Sequence, residues 1–386
     1  MMTNSLNGAA IVSKGIEDIA ALEIKELIGA EASTHETCVL FGIKDYADLC
    51  LLCYKGQSVN KILFLFRNFN FKDIKDIKKE VDSIDFSFWL KENKTFRVSS
   101  KVIESEFDSQ EINTEVGLFV IDSIQKKKNY RLQVNLDNPD VIIFVYVYKD
   151  NCYLGIDFAG LSLHKRSYKI FNHPRSLRGT IAYSMVRMAE VDNKEVLVDP
   201  FCGAGEIPIE AALFLSGFPI NYFNKEKLAF LKLELAIDYG DFFKTIDSKV
   251  NMKKLHIIGY DDQWLYLNNA KKNSKIAGIN KLMSLSRLES EWLDTKFEKD
   301  SVDKIITQPP AITNHSNPKD IRKRYDELFY HAEFVLNEKG LVVVILRKKG
   351  ELLKYAEKYN FRIKEEREVY SGKEILTIIV FGKQQI

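Results

Sequence analysis

The second half of the chain alternates short apolar strands with amphipathic helical patterns, and this alternation restricts the fold more than any other feature. Helical spacing lies between most of the strands, at residues 264–277, 321–337 and 352–359. Alternating β and α segments favour a parallel, doubly wound sheet. The strand-like segments are residues 195–199, 255–260, 283–288, 302–307 and 340–346.

Two more strands follow the last helix of this half. Residues 362–370 and 375–382 alternate in the manner of strands and are separated by Ser371-Gly372-Lys373. A short connection that contains glycine between two such strands is typical of a hairpin. We therefore expect a mostly parallel sheet of seven strands that a C-terminal hairpin completes.

The first half has a different pattern. Residues 14–28 show helical spacing, whereas residues 131–136, 141–149 and 151–158 are strand-like. The first 165 residues therefore predict a smaller α+β region ahead of the α/β domain.

The charge balance limits how the chain could bind nucleic acid. Among 386 residues, 56 Lys and Arg oppose 54 Asp and Glu, for a formal net charge of +2. Binding through bulk charge is excluded, so any RNA contact needs a local patch. Residues 161–189 contain basic residues and no acidic ones, so this segment is either a phosphate-contacting surface or a solvated connector. Its basic residues are Lys165, Arg166, Lys169, Arg175, Arg178 and Arg187.

The lengths of the apolar runs and the spacing of the cysteines predict the cellular compartment of the protein. No apolar run approaches the roughly 20 residues that cross a bilayer, and the first residues lack the pattern of a signal peptide. Five irregularly spaced cysteines are typical of a reducing compartment. Cys50 and Cys53 favour a buried helical face over a metal site, because no second pair accompanies them. We expect a cytoplasmic protein without a membrane segment or a metal.

The strongest chemical signal is the segment 195–212, EVLVDPFCGAGEIPIEAA, in which a strand, a glycine loop and a helix follow one another. Gly203 and Gly205 permit tight turns, and the helix N-terminus offers free amides. A dinucleotide motif would continue with a third glycine, but Pro208 stands there. The acids Asp199 and Glu206 repel pyrophosphate and suit an ammonium or sulfonium group, which points to S-adenosylmethionine (SAM).

Two more acidic positions fit a nucleoside. Asp261 ends the second strand, where a carboxylate accepts ribose hydroxyls. Asp262 is the alternative acceptor for the ribose hydroxyls. An acid at this position could also simply be the N-cap of the helix that follows. Glu289 follows the third strand and could accept from the adenine amino group, or it is an ordinary surface acid.

The fourth strand ends in Thr307-Gln308-Pro309-Pro310-Ala311. Two prolines make a rigid corner at the sheet edge where open α/β sheets bind ligands, although they could simply cap the strand. An exocyclic amine is a weak nucleophile, and the amide of Gln308 with the Pro309 carbonyl could orient its lone pair. The loop after the corner carries Asn314 and His315, and with the 322–324 basic run it either covers the substrate or starts a solvated helix.

Residues 173–386 resemble class I SAM-dependent methyltransferases that act on amino groups of RNA or DNA bases. The resemblance rests on DPFCGAGEIPIE, the acidic end of the second strand and the Q-P-P corner. Residues 95–98, 111–117 and 138–168 look like parts of a THUMP domain, an RNA-binding module. The resemblance implies a ferredoxin-like piece at 1–60, a THUMP domain at 61–165, a basic linker at 166–182 and a Rossmann-like methyltransferase domain at 183–386.

The combination is similar to the tRNA guanosine N2-methyltransferases, which implies tRNA or another structured RNA as partner. By this resemblance Gln308, Pro309 and Pro310 form the catalytic corner. The implied cofactor residues are Asp199, Phe201, Gly203 and Gly205 for the methionine end, Asp261 for the ribose, Glu289 for the adenine, and His173 and Leu177 beside the cleft. The implied RNA-binding residues are Lys165, Arg166, Lys169, Arg175 and Arg178.

The sequence departs from the family pattern at three positions. The family usually has Asn or Asp before the two prolines and an aromatic residue after them, whereas this chain has Gln308 and Ala311. Glu206 stands where the family generally has a hydroxyl residue. Two alternatives therefore stay open: a non-catalytic RNA-binding protein or partner subunit, and a methyltransferase for adenine N6 or DNA.

Overall fold

The computed structural model describes residues 6–313 and 316–384, so Asn314 and His315 lie outside the described residues. The chain packs into two compact units. The first contains residues 6–12, 20–163 and 221–244, and the second contains residues 13–19, 164–220 and 245–384. In the described part of the chain, no helix is both long and apolar enough to span a membrane.

The first unit is built on an eight-stranded sheet with the order β2-β3-β1-β4-β8-β7-β5-β6. Its strands are β1 (Asn7–Val12), β2 (Ala32–His35), β3 (Cys38–Gly42), β4 (Val59–Asn70), β5 (Thr95–Ile103), β6 (Gln133–Val134), β7 (Val141–Tyr148) and β8 (Asn151–Asp157). The helices of this part of the chain are α1 (Glu17–Ile28), α2 (Tyr46–Lys55), α3 (Ile74–Ser83) and α4 (Ser109–Lys128).

The burial of each strand in the first unit explains how clearly the sequence predicts it. Every residue of β7 is buried, which is why this segment is a continuous apolar run. The predicted strand at 131–136 shortens to the two exposed residues of β6. Cys50 and Cys53 lie on the buried face of α2, as expected.

Two features of the first unit differ from the expected boundaries. The N-terminal piece and the predicted THUMP segment share one sheet, because β4 pairs with β1 along one edge and with β8 along the other. Residues 221–244, expected in the methyltransferase domain, pack in the first unit. Backbone amides of Ala229 and Phe230 donate to the carbonyls of Ala159 and Phe158, and Phe230 is fully buried.

The second unit contains a seven-stranded sheet with the order β11-β10-β9-β12-β13-β15-β14. Its strands are β9 (Leu197–Asp199), β10 (Ile257–Asp261), β11 (Met283–Arg287), β12 (Val302–Thr307), β13 (Leu336–Leu346), β14 (Phe361–Ser371) and β15 (Glu374–Lys383). The helices are α5 (Gly179–Met188), α6 (Glu206–Ser216), α7 (Tyr239–Asp247), α8 (Trp264–Ile276), α9 (Pro318–Val335) and α10 (Gly350–Lys358), and α7 begins within the first unit.

This sheet confirms the predicted fold class. Strands β9 to β13 are parallel, and β15 joins antiparallel to β13 and β14 as the C-terminal hairpin. The strand order reverses between β9 and β12, because β10 and β11 extend to one side and β13 to the other. Ligands of open α/β sheets bind at the carboxyl ends of the strands at such a reversal. The loops after β9 and β12 therefore define where a site should lie.

Candidate active site

The loop after β9 forms a backbone cradle at this reversal. Gly203 and Gly205 have φ angles of +52° and +90°, a region that favours glycine. A Cβ atom on Gly205 would lie 3.0 Å from the Ala270 Cβ atom, and one on Gly203 would lie 3.3 Å from the His173 ring. The cradle therefore needs glycine for both space and conformation. Helix α6 begins at Glu206, and its first amides point into this region of the sheet edge.

Asp199 at the end of β9 is buried beneath the cradle. Its Oδ1 atom accepts from Thr307 Oγ1 at 2.6 Å and from the Phe201 amide at 3.2 Å. Thr307 ends β12, so this carboxyl group joins the two strands that flank the reversal. Burial raises the pKa of Asp199 to about 7, although both hydrogen bonds favour the ionised form.

Asp261 at the end of β10 supports the same loop. Its two oxygens accept from the Gly203 amide at 3.0 Å and from the Gln263 amide at 2.9 Å. It does not cap α8 through its side chain, because Gln263 is the N-cap residue and no side chain caps it. Asp262, the alternative ribose acceptor, instead forms an ion pair with Arg324 at 2.5 Å. Burial also raises the pKa of Asp261.

Glu206 adds a third buried carboxyl group, at the loop position where the sequence predicted an acid suited to a cationic cofactor. It is 5% exposed, accepts from the Ser176 hydroxyl, and lies 3.6 Å from Lys169 Nζ. Burial raises its pKa. Three buried carboxyl groups around one loop favour a cationic ligand, because a positive charge stabilises all of their ionised forms.

The Q-P-P corner is held by two side chains from other elements. Arg175 Nη1 donates to the Pro309 carbonyl at 2.6 Å and lies 3.5 Å from the Gln308 carbonyl. The Tyr325 hydroxyl donates to the Pro310 carbonyl at 2.8 Å. The Pro309 carbonyl, predicted to face a substrate amine, thus already accepts one hydrogen bond. The Gln308 side chain is half-buried at the cleft.

These residues surround one cleft in the second unit. The predicted site residues in its lining are His173, Arg175, Leu177, Asp199, Phe201, Gly203 and Gln308, together with Glu206, the second acid of the loop. Cys202 and Ile207 also line it and were not predicted as site residues. Gly205, Asp261, Pro309 and Pro310 support it from adjacent positions. Glu289 is exposed after β11 and does not line the cleft. Burial, with the charge of Arg175, lowers the pKa of His173 to about 4, so the His173 imidazole is neutral at pH 7.

Several side chains of the basic segment are bound to other parts of the second unit. Arg166 is 7% exposed and donates to both oxygens of Glu210, at 2.7 and 3.0 Å, so its charge is used in a buried ion pair, and its role as an RNA contact stays a prediction. The largely buried Lys169 binds the Leu177 carbonyl and Glu206 beside the cleft. Arg175 is engaged with the Q-P-P corner, which leaves Lys165 as the fully exposed member.

Two segments of the chain match known protein families. Residues 166–376 match the family model described as the RMKL-like methyltransferase domain, and residues 71–157 match the THUMP domain. The chain belongs to the RMKL-like methyltransferase family. This family assignment confirms the predicted SAM-dependent methyltransferase with an RNA-binding THUMP domain.

Two curated relatives and one crystal structure describe the similarity further. The tRNA (guanine(6)-N2)-methyltransferase of Methanocaldococcus jannaschii is 33% identical, over 94% of this chain and 96% of that protein. The enzyme of the same name from Archaeoglobus fulgidus is 29% identical over 96% and 91% of the two chains. The crystal structure of SMU.472, complexed with S-adenosylhomocysteine, superposes with a TM-score of 0.83 over 100% of both chains at 19% identity.

The residues of this methyltransferase fit SAM. The glycine cradle leaves open the volume that a Cβ atom would fill, and the buried carboxyl groups suit the ammonium and sulfonium charges of SAM. We propose that Asp199, Phe201, Gly203 and Gly205 hold its methionine end. Asp261 and Glu289 stay the proposed acceptors from the ribose and the adenine.

Proposed function

We propose that this methyltransferase modifies the N2 amino group of a guanosine in tRNA, at nucleotide 6. The observation that carries the proposal is the 33% identity to a tRNA (guanine(6)-N2)-methyltransferase across 94% of this chain. The match spans the THUMP and methyltransferase segments together, as a shared RNA substrate would require. A cytoplasmic location stays a prediction from the sequence.

The Q-P-P corner supports amine chemistry by positioning the nucleophile. The N2 lone pair of guanine is delocalised into the ring, so the amine must be oriented before it can react. The Gln308 side-chain oxygen accepts one N2 hydrogen, and the Pro309 carbonyl has a second lone pair for the other. Arg175 and Tyr325 keep the backbone of the corner in place through the carbonyls of Pro309 and Pro310.

When bound, SAM supplies an electrophilic methyl group on a sulfonium leaving group. Transfer of that methyl group to N2 would leave neutral S-adenosylhomocysteine, and the proton released from N2 would pass to solvent. Asp199 remains an acceptor under the cradle, because its oxygen is held by Thr307 and the Phe201 amide. The reaction therefore depends on orientation and charge, without a strong base.

The test is transfer of a labelled methyl group from SAM to unmodified tRNA, followed by digestion to nucleosides. We expect labelled N2-methylguanosine. Label in N6-methyladenosine would identify the adenine alternative, and absence of label from any nucleoside, despite RNA binding, would contradict the proposal.

A non-catalytic RNA-binding protein is the second candidate, because Ala311 supplies no aromatic ring to stack on a target base. The variant Gln308→Ala separates the two functions, with Lys299→Gln as a control on the opposite edge of the sheet. We expect Gln308→Ala to lower methyl transfer by about 10- to 100-fold while SAM affinity is retained, as for loss of one positioned hydrogen bond. Equal rates in both variants would remove Gln308 from the mechanism.

A further inference from the structure

The second sheet carries the cleft at the carboxyl ends of its parallel strands, and we call this side its cleft edge. The charge along the cleft edge changes sign at the strand reversal, from acidic on one side to basic on the other. Asp199 and Asp261 are the last residues of β9 and β10, Glu206 is the first residue of α6, and all three carboxyl groups are buried. A cluster of cations instead surrounds the ends of β13 and of the β14–β15 hairpin. We call this cluster the basic rim, and its members are Arg178, Arg347, Lys348, Lys349 and Lys373.

Strand register places the basic rim beside the Q-P-P corner. Thr307 pairs with Val344 in the parallel β12–β13 ladder, so Pro309 is level with Leu346, the last residue of β13. Neighbouring strands lie about 4.8 Å apart. Residues 347–349 therefore leave the sheet one strand away from the corner. Leu346 pairs with Thr377, which brings the hairpin turn at 371–374 to the same edge.

Contacts within the basic rim hold its parts together. Arg347 forms an ion pair with Glu374, and Lys349 forms one with Glu366, so the loop between β13 and α10 is tied to the hairpin at two points. Arg178 is half-buried, and a Cβ atom on Gly372 would lie 2.8 Å from its Nη2 atom, which places the guanidinium on the hairpin turn. Lys348 and Lys373 are exposed to solvent. The five cations of the rim and these two acidic partners alone carry a formal charge of +3.

We propose that the basic rim binds the phosphates of the RNA strand that flanks the target nucleotide. This inference rests on the proposed function and deepens it. The charges on the two sides of the strand reversal fit SAM and RNA respectively. The acidic side suits the cationic cofactor, and the basic side suits the polyanionic RNA. Exposed lysines act as point charges that position a phosphate backbone without reading its sequence. The rim thus takes the role first predicted for Arg166, which is buried, and Lys169, which is partly buried against Glu206.

The test compares the double variant Lys348→Gln/Lys373→Gln with the matched control Lys299→Gln/Lys339→Gln. Both control lysines are exposed and lie where β12 and β13 begin, at the opposite edge of the sheet. Affinity for unmodified tRNA is measured between about 50 and 200 mM salt. Each lost phosphate contact reduces the slope of log affinity against log salt by about 0.7 to 0.9. Because two lysines are removed, we expect the magnitude of this slope to be smaller by about 1.4 to 1.8 in the rim variant than in the wild type. The slope of the control variant should equal that of the wild type.

A SAM-binding measurement on each protein separates the inference from the function it rests on. SAM affinity should be equal in all three proteins, since the lysines lie outside the cleft. Equal salt slopes in rim and control variants, with a wild type that methylates tRNA, would overturn the rim alone. A wild type that neither binds nor methylates tRNA would overturn both proposals.

Discussion

Protonation of Asp199 should control SAM binding below neutral pH. Burial raises the pKa of this carboxyl group to about 7 in the free protein, whereas a bound cation would favour its ionised form. Binding at lower pH must therefore release the proton. At pH 6 about nine tenths of the carboxyl groups are protonated, so we expect affinity roughly tenfold lower than at pH 8. At pH 5 the expected reduction is about a hundredfold.

The same shift gives stability a defined pH dependence. Between pH 4 and 7 the unfolded chain ionises Asp199 while the folded protein keeps the proton. The free energy of unfolding therefore falls by about 1.4 kcal/mol per pH unit as pH rises through this window, from this group alone. The total is about 4 kcal/mol, and the dependence ends above the folded pKa. The variant Asp199→Asn should lack this contribution.

Isothermal titration calorimetry measures both affinity and proton release, when buffers of different ionisation enthalpy are compared. We expect release of close to one proton per SAM at pH 6 and almost none at pH 8. Glu338→Gln, an exposed acid at the opposite edge of the sheet, is the matched control and should titrate like the wild type. Constant affinity from pH 5.5 to 7.5, or an unchanged pH slope in Asp199→Asn, would refute the assignment.

Three further substitutions test other parts of the site. Gly205→Ala places a side chain at a φ of +90°, and should cost about 1–3 kcal/mol in unfolding free energy and weaken SAM binding; unchanged values in chemical denaturation and calorimetry would contradict the cradle. Glu210→Gln leaves Arg166 buried without its full ion pair and should cost about 3–5 kcal/mol, while an altered RNA salt slope would restore a phosphate role for Arg166. Arg175→Met removes the donor to Pro309 and should lower kcat by about 10- to 100-fold while SAM affinity is retained. Arg175→Lys should recover part of the lost kcat. A kcat equal to that of the wild type in both variants would exclude a positioning role for Arg175.

The sequence predicted the second sheet well for a physical reason. Its parallel strands are buried on both faces, so they appear as apolar runs between helical patterns. The loops after β9 and β12 then fall at the reversal, where Asp199 and Gln308 meet in one cleft. Local pattern and ligand position are coupled in this type of fold, which made the site predictable.

Contacts between distant segments could not be predicted in the same way. Residues 221–244 contain two short 3₁₀ helices, whose hydrophobic residues show no regular spacing in the sequence. The packing of this segment in the first unit depends on hydrogen bonds to Phe158 and Ala159. The basic segment looked like a surface because its acidic partner, Glu210, lies 44 residues from Arg166. Charge in a sequence does not reveal burial, and the basic rim is likewise assembled from three separate segments.

Mapping the methyl group onto the tRNA tests the central claim most directly. Unmodified tRNA is treated with the enzyme and SAM, cleaved by a base-specific nuclease, and its fragments are weighed by mass spectrometry, beside a tRNA with adenosine at nucleotide 6. The account predicts one methylated fragment, which contains guanosine 6, and no methylation of the adenosine tRNA. Methylation at another nucleotide, or equal methylation of both tRNAs, would contradict it.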